Sequence, residues 1–321
     1  MAREDLFHLI AKLFIKNKNI MDLNFFKQTR ILDGGMGQEL LARGMPANGT
    51  LWSANAVLNK EYHQLLLDIH KDFVKAGAEV IMTNTFTTRR IRLGENNIED
   101  KFEYLVNKAG EIASEVKKIY PHILIGGSLP PQLLTYQADL RDEKDILSNF
   151  LEMAAILDPY VDFYYFDVLS SVREFDIAKK AVEKFNKPYL FGVHISEGTK
   201  LPSGEEISDF KKFTDDPNLI GIMLSCVSPE NYQLNANELK KLNVPYGFKF
   251  NAFQTTSPKE GYTENYKKNK GNPNEFLGKR EDLNPVKLAE FAKEFKDMGA
   301  TILGGCCETR PSHIKALSKL K

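Results

Sequence analysis

Residues 284–307 read NPVKLAEFAKEFKDMGATILGGCC, and they hold one complete unit of the architecture that the rest of the chain repeats. Asn284 is a good N-cap, and Pro285 suits the first helical position, where a missing N–H costs nothing. Leu288, Phe291, Phe295 and Met298 then form one apolar stripe at helical spacing, which Gly299 ends. The short apolar run Ala300–Gly304 follows directly and reads as a buried strand. Beyond it, Gly305 leads into the adjacent pair Cys306 and Cys307.

The same alternation runs back through the chain. Strands are expected at Arg30–Gly34, Glu79–Asn84, His122–Gly127, Val161–Val168, Pro188–His194, Leu219–Ser225 and Val244–Phe250, with Ala300–Gly304 as the eighth. Their near-continuous apolar character suits a parallel sheet covered on both faces. Helices are expected at Glu61–Gly77, Glu99–Tyr120, Lys144–Asp158, Arg173–Asn186 and Pro229–Leu242, with a weaker pattern at Glu206–Thr214. Eight strands alternating with helices predict an α/β fold of the closed (β/α)8 TIM-barrel type rather than an open doubly wound sheet. No Pro/Gly/Ser-rich linker divides the chain, so residues 26–321 are expected to form one barrel. Residues 1–25, where Leu6, Ile10, Leu13 and Phe14 recur at helical spacing, are expected to add an amphipathic N-terminal helix.

Composition narrows the function classes. The 321 residues include 43 basic and 43 acidic ones, so the net charge is zero. That argues against nucleic acid or an anionic membrane as a partner held by bulk electrostatics. No apolar run approaches the roughly 18 residues of a membrane span. Arg3, Glu4, Asp5 and Lys12 interrupt any signal-peptide core. Three cysteines, an odd number, do not make a disulfide framework; they suit a reducing compartment, and a cytoplasmic location is the expectation.

In (β/α)8 barrels the chemistry sits at the C-terminal ends of the strands. Read in order, those positions hold Asp33, Asn84, Ser128, Asp167, His194, Cys226, Asn251 and the pair Cys306–Cys307. Every cysteine of the chain is among them. Strands six and eight are separated by one strand, so Cys226 can approach the pair across the mouth. Gly304 and Gly305 let the backbone bend there, and a helix expected near Pro311 would present its positive end to the thiols. Three thiolates suit Zn2+ and leave its fourth tetrahedral position open. A single free cysteine is commonly a small buried hydrophobe; three at strand ends, two of them adjacent, make that reading weaker. A Zn(Cys)3 centre carries a net charge of about −1, which makes it a poor Lewis acid towards carbonyls but a good holder of a fourth thiolate. Cys226, Cys306 and Cys307 are therefore the expected metal ligands and catalytic centre, for attack by sulfur on an electrophilic carbon such as an onium methyl.

The segments Ile31-Leu32-Asp33-Gly34-Gly35-Met36-Gly37, Leu51-Trp52-Ser53, Thr83–Phe86 and above all Gly304-Gly305-Cys306-Cys307-Glu308-Thr309 resemble the homocysteine S-methyltransferase family. That family includes S-methylmethionine- and betaine-dependent enzymes and the homocysteine module of cobalamin-dependent methionine synthase. The similarity runs from about Arg30 to the C-terminus. It implies a zinc (β/α)8 barrel that methylates L-homocysteine to methionine, with Cys226, Cys306 and Cys307 as the zinc ligands. Asp33 matches the carboxylate that contacts the homocysteine amino group, and Asp167 lies where the family usually has a Glu doing likewise. Trp52 and Phe86 are candidates for the donor side, since aromatic faces suit an onium methyl; simple packing is the alternative for both. Asn84 and Ser128 complete the expected substrate-facing set. The implied partners are a small-molecule thiol acceptor and a methyl donor, the first expectation for the donor being S-methylmethionine, from the chain's length and the Leu51-Trp52-Ser53 stretch. Three residues depart from the family pattern: Asp167 for Glu, Ser225 for the Asn before the first cysteine, and Pro130 for a Gly after strand three.

Other readings stay open at this level. Gly34–Gly37 also fits a glycine loop of a Rossmann-type methyltransferase using S-adenosylmethionine, although that fold wants an acidic residue where the chain has Asn84. A zinc-binding barrel acting as a sensor or partner protein, or a methyltransferase for another small thiol, explains the cysteines equally. Two loops, Ser196–Glu205 and residues 251–282, are placed to form a donor pocket.

Overall fold

Strands form where the apolar runs are continuous: β1 Arg30–Ile31, β2 Val80–Met82, β3 Leu124–Leu129, β4 Phe163–Leu169, β5 Tyr189–Val193, β6 Leu219–Val227, β7 Tyr246–Phe250 and β8 Ile302–Gly305. The computed structural model describes residues 21–255 and 277–321. The amphipathic pattern of residues 1–20 and the middle of the lysine-rich loop 251–282 lie outside the described residues. Helices follow the 3.6-residue stripes: α1 Met36–Ala42, α2 His63–Lys75, α3 Phe102–Ile119, α4 Glu143–Leu157, α5 Val172–Val182, α6 Pro229–Lys241, α7 Pro285–Asp297 and α8 Pro311–Ser318. Asn284 caps α7 as its sequence predicts, its side chain accepting from the N–H groups of Val286 and Lys287. Between β5 and β6 the weak pattern at Glu206–Thr214 becomes a 3-10 segment, Ile207–Phe213.

All eight strands pair in parallel, in the order β1-β8-β7-β6-β5-β4-β3-β2. A parallel bridge between Leu32 and Val80 joins the two ends of that order. Asp33 N–H donates to the Val80 carbonyl at 3.0 Å and Glu79 N–H to the Ile31 carbonyl at 2.8 Å, so the sheet closes on itself. A ring of this kind is the barrel, not the open doubly wound sheet that a nucleotide-binding glycine loop requires.

Closure divides the apolar residues into two layers. Leu32, Val80, Met82, Phe163, Tyr165, Leu190, Met223 and Ile302 fill the interior. The larger cluster lies between strands and helices, with Phe166, Tyr189 and Phe191 stacked on its β4–β5 face. Phe26 is fully buried and belongs to the interior layer. Thr301 Oγ1 donates to its carbonyl at 2.6 Å, at the N-terminal end of β8. Residues 21–25, assigned by sequence to the helical extension, therefore contain no α-helix; they lead into a 3-10 turn, Phe25–Lys27, that plugs the base of the barrel.

Two strands are irregular at their tops. The β4–β5 register shifts between Phe166 and Leu169, and the β6–β7 register shifts between Ser225 and Val227. The residues at the shifts, Val168 and Cys226, have φ of 63° and 58°. Such bulges re-aim neighbouring side chains at the cost of backbone strain, and here they act on Asp167 and Cys226.

Helix α5 opens on a buried carboxyl. Ser171 caps Glu174 N–H at 3.1 Å and donates its hydroxyl to Glu174 Oε2 at 2.8 Å. Burial nevertheless pushes Glu174 up from 4.5 to about 7. The folded chain thus holds this proton more tightly than the unfolded one, and its contribution to stability declines as pH rises from 4.5 towards about 7. Glu174→Gln should abolish that decline. Urea unfolding at about pH 4 and pH 8 should show the variant gaining on the wild type by on the order of 3 kcal/mol.

Candidate active site

The three cysteines meet at the C-terminal mouth of the barrel. Cys226 Sγ lies 3.9 Å from Cys307 Sγ, which lies 4.0 Å from Cys306 Sγ. All three sulfurs fall within 4.8 Å of one another, and none is in a disulfide. Ligands about 2.3 Å from a tetrahedral zinc stand about 3.8 Å apart, so these spacings fit one metal ion with a position to spare. The backbone fixes the arrangement. Cys306 N–H donates to the Phe250 carbonyl at 2.6 Å, and Ala252 N–H to the Cys307 carbonyl at 3.0 Å, tying the pair to the end of β7. Gly305 must be a glycine: a Cβ there would stand 2.2 Å from Thr309 Oγ1, whose hydroxyl holds the Cys306 carbonyl.

The sulfurs are not equivalent. Burial pushes the Cys226 thiol up, but hydrogen bonds from Cys306, Cys307, Tyr136 and Asn251 outweigh it and hold it well below its ordinary value. The Tyr136 hydroxyl is 3.0 Å from that sulfur and Asn251 Nδ2 is 3.7 Å away. Cys226 in turn raises its neighbours, Cys306 to about 12 and Cys307 well above its ordinary value. Within the trio Cys226 is thus the thiol that ionises most readily; a divalent cation among the sulfurs would favour deprotonation of all three.

Around the sulfurs is a cavity of about 980 Å3, its open mouth included. Asp33, Asp167, Trp52, Asn84, Phe86 and Ser128 all line it, together with the three cysteines. His194, another strand-end residue, does not: it is fully buried behind Tyr136, ring centroids 4.4 Å apart, and burial lowers it to about 4, so it is neutral.

The cavity has a charged side and an aromatic side. On the charged side Asp33 Oδ2 accepts from Met82 N–H at 2.8 Å, and Asp33 Oδ1 from Lys249 Nζ at 3.1 Å. Burial lowers the Lys249 ammonium, but Asp33, Asp167 and the Cys306 sulfur raise it further, so it stays charged. Asp167 Oδ2 accepts from Ser128 Oγ at 2.7 Å. Burial raises Asp167 to about 6, the Lys249 charge opposing. On the other side Trp52, Phe86, Tyr136 and Phe253 cluster with the cysteines. Trp52 adopts φ 37° and lies flat against Gly37, where any Cβ would be 2.3 Å from the indole. Asn84 holds that loop, donating to the Ser53 carbonyl at 2.9 Å. Phe86 carries the Arg89 guanidinium 5.3 Å from its ring centroid.

The family profile described as Homocysteine S-methyltransferase matches residues 30–320. The chain belongs to that family. Among curated members, homocysteine S-methyltransferase 1 of Arabidopsis thaliana is 22% identical over 316 residues, 90% of this chain and 92% of the relative. The homocysteine S-methyltransferase of Escherichia coli (strain K12) is 22% identical over 312 residues, covering 89% and 93%. Among solved structures, the metallated form of the E. coli homocysteine methyltransferase MmuM superposes with a TM-score of 0.75 at 20% identity, over 92% of this chain and 96% of that one.

For a member of the homocysteine S-methyltransferase family the strand-end reading finds the sulfurs and part of the lining, but it passes over other cavity residues, Lys249, Tyr136 and Gln38 among them. Lys249 sits within an apolar strand, Tyr136 in the loop after β3, and Gln38 in α1, where its buried amide finds no hydrogen-bond partner among the described residues. A lysine inside a barrel strand is a signal the sequence does carry. The departures are locally satisfied: Ser225 pairs its hydroxyl with Tyr165 at 2.5 Å, and the Pro130 carbonyl accepts from Gln132. Tyr136→Phe should raise the ionisation midpoint of Cys226 in metal-free protein by about one to two units, the worth of one hydrogen bond to a charged group. The rate of thiol alkylation against pH reads this directly.

Proposed function

We propose that the chain transfers a methyl group from an onium donor to the thiol of L-homocysteine, giving methionine, with zinc held by Cys226, Cys306 and Cys307. The observation that carries this is the trio of sulfurs, spaced as tetrahedral zinc requires, at the mouth of a barrel of this family. Bound there, zinc supplies a Lewis acid that keeps an acceptor thiol ionised in its open position.

The chain's own residues supply the rest. Asp167, oriented by Ser128, receives the acceptor's ammonium, being ionised above about pH 6. Asp33, given the same role by sequence, is already engaged by Lys249 and the Met82 N–H. Trp52 and Phe86 wall the donor side and exclude water near the sulfurs. The acceptor sulfur forms the new bond to the methyl carbon as the methyl–onium bond breaks, and that electron pair returns to the donor, which leaves neutral. Charge is lost in this step, so the largely apolar wall favours it. S-methylmethionine is the preferred donor in this reading, and a cytoplasmic setting suits the three free thiols. Among the described residues no helix is long and apolar enough to cross a membrane.

Two measurements test the proposal. Purified protein should carry about one zinc, and Cys307→Ala should lose it, with affinity falling by more than the 10- to 100-fold typical of losing an outer partner of a metal ligand; a zinc-loaded, active variant would overturn the ligand assignment. A panel of sulfonium and betaine donors offered with homocysteine should give methionine from at least one sulfonium, and a chelator should stop it. Zinc retained without turnover on any donor is the result that would turn the reading to a sensor.

A further inference from the structure

The cation on the cavity's charged side is not explained by anchoring of an ammonium. We propose that Lys249 receives the carboxylate of the thiol acceptor, so that this site selects thiols by their carboxylate more than by their amino group. The inference rests on the thiol-acceptor reading above and names what that acceptor must carry.

The geometry is that of an ammonium with donors in reserve. Lys249 lies on β7, between the strands that bring Cys226 and the Cys306–Cys307 pair, and its side chain is only 7% exposed. Among the described residues Asp33 Oδ1 is its one hydrogen-bond acceptor, at 3.1 Å; the face of the Tyr165 ring lies 5.5 Å away. An ammonium has three N–H donors, and a buried one left without acceptors is costly. Lys249 also lines the same cavity as the cysteines. It pairs in register with Gly304, two residues before Cys306, so its stem begins about 7 Å short of the sulfurs along the strand. An acceptor bound by sulfur at the cysteine centre thus has its far end on the lysine's side of the cavity.

The donor and acceptor positions left open give the sign of the selectivity. Asp33 has both oxygens occupied by protein donors, and its charge is balanced by Lys249. Asp167 also acts on Lys249, and one of its oxygens already accepts from Ser128. An amino group entering beside Lys249 meets repulsion, while a carboxylate there gains a charge-assisted hydrogen bond. A structural role alone, Lys249 as counter-ion to Asp33, predicts no such discrimination between ligands.

Calorimetric titration of the zinc-loaded protein with three thiols separates these roles: L-homocysteine, 4-mercaptobutyrate, which lacks the amino group, and 3-mercaptopropylamine, which lacks the carboxylate. The wild type should bind 4-mercaptobutyrate within about tenfold of homocysteine, and 3-mercaptopropylamine about 10- to 100-fold more weakly than either, the worth of one hydrogen bond between charged groups. Lys249→Met should weaken the two carboxylates by a similar factor and strengthen the amine, since Asp33 is then free, and Lys249→Arg should keep the wild-type order. Should Lys249→Met misfold, Asp33→Asn/Lys249→Met removes both charges together and should weaken the carboxylates alone. The proposal is overturned if the wild type binds the amine as tightly as 4-mercaptobutyrate, or if the order survives in either folded variant. Carboxylate preference without methyl transfer to homocysteine would sink the reading of the reaction and leave Lys249's role standing. If no thiol binds, both fall.

Discussion

Closure of the sheet at β1 is the constraint on which the rest depends. That strand is two residues long, yet it is hydrogen-bonded to β8 on one side and reaches β2 on the other through the Leu32–Val80 bridge. Only in a closed ring do the tops of β6 and β8 face each other across a mouth. Cys226 and Cys307, 81 positions apart in the chain, are then held 3.9 Å apart by backbone pairing that spans β7. The plug at Phe26 and the interior layer above it make the ring a solid floor; Cys226 stands in β6, and the Cys306–Cys307 pair, in the turn just beyond β8, is tied to the end of β7 by backbone hydrogen bonds.

A second constraint is electrostatic. Three thiols, two carboxylates and one ammonium share one cavity: Lys249 and Cys306 act on Asp167, the two carboxylates and Cys306 on Lys249, and the neighbouring thiols on Cys226. Burial opposes every charge in that space. What keeps the charges there is their pairing: Asp33 with Lys249, Asp167 with the Ser128 hydroxyl, Cys226 with Tyr136. The set is balanced for a cation among the sulfurs and a polar ligand beside the lysine. The aromatic wall contributes shape more than charge, and one of its faces, that of Phe86, already holds Arg89.

All eight strands were legible from apolar runs, and the three cysteines that gather at the mouth from one rule applied to them, that chemistry lies at strand ends. The rule worked because parallel strands bury both faces, so a polar or sulfur residue at the end of such a run stands out. It passed over cavity residues that do not lie at an end. In β7 the outward-facing Phe248 and Phe250 pack with Tyr232 and Phe295, and Lys249 between them points the other way by simple alternation. Reading the strand as one apolar run hid that parity. Tyr136 and Gln38 were hidden for another reason: a loop residue's contact with a strand 90 positions away leaves no local trace. The turn by which the chain enters the barrel, with Phe25 and Phe26, carries no periodic signal in the sequence.

The irregular tops of β4 and β6 bear on how this site can change over time. In each, one strand carries a residue that its neighbour does not match, and everything beyond that point is turned by it. Exchanging one side chain there alters a contact or two. Deleting one residue would exchange inside for outside along the remainder of the strand, because side chains alternate with a period of two. Length is thus far less negotiable than composition at these two positions. Side chains at these two tops can be exchanged one by one, whereas a change of length there turns every later side chain of the strand.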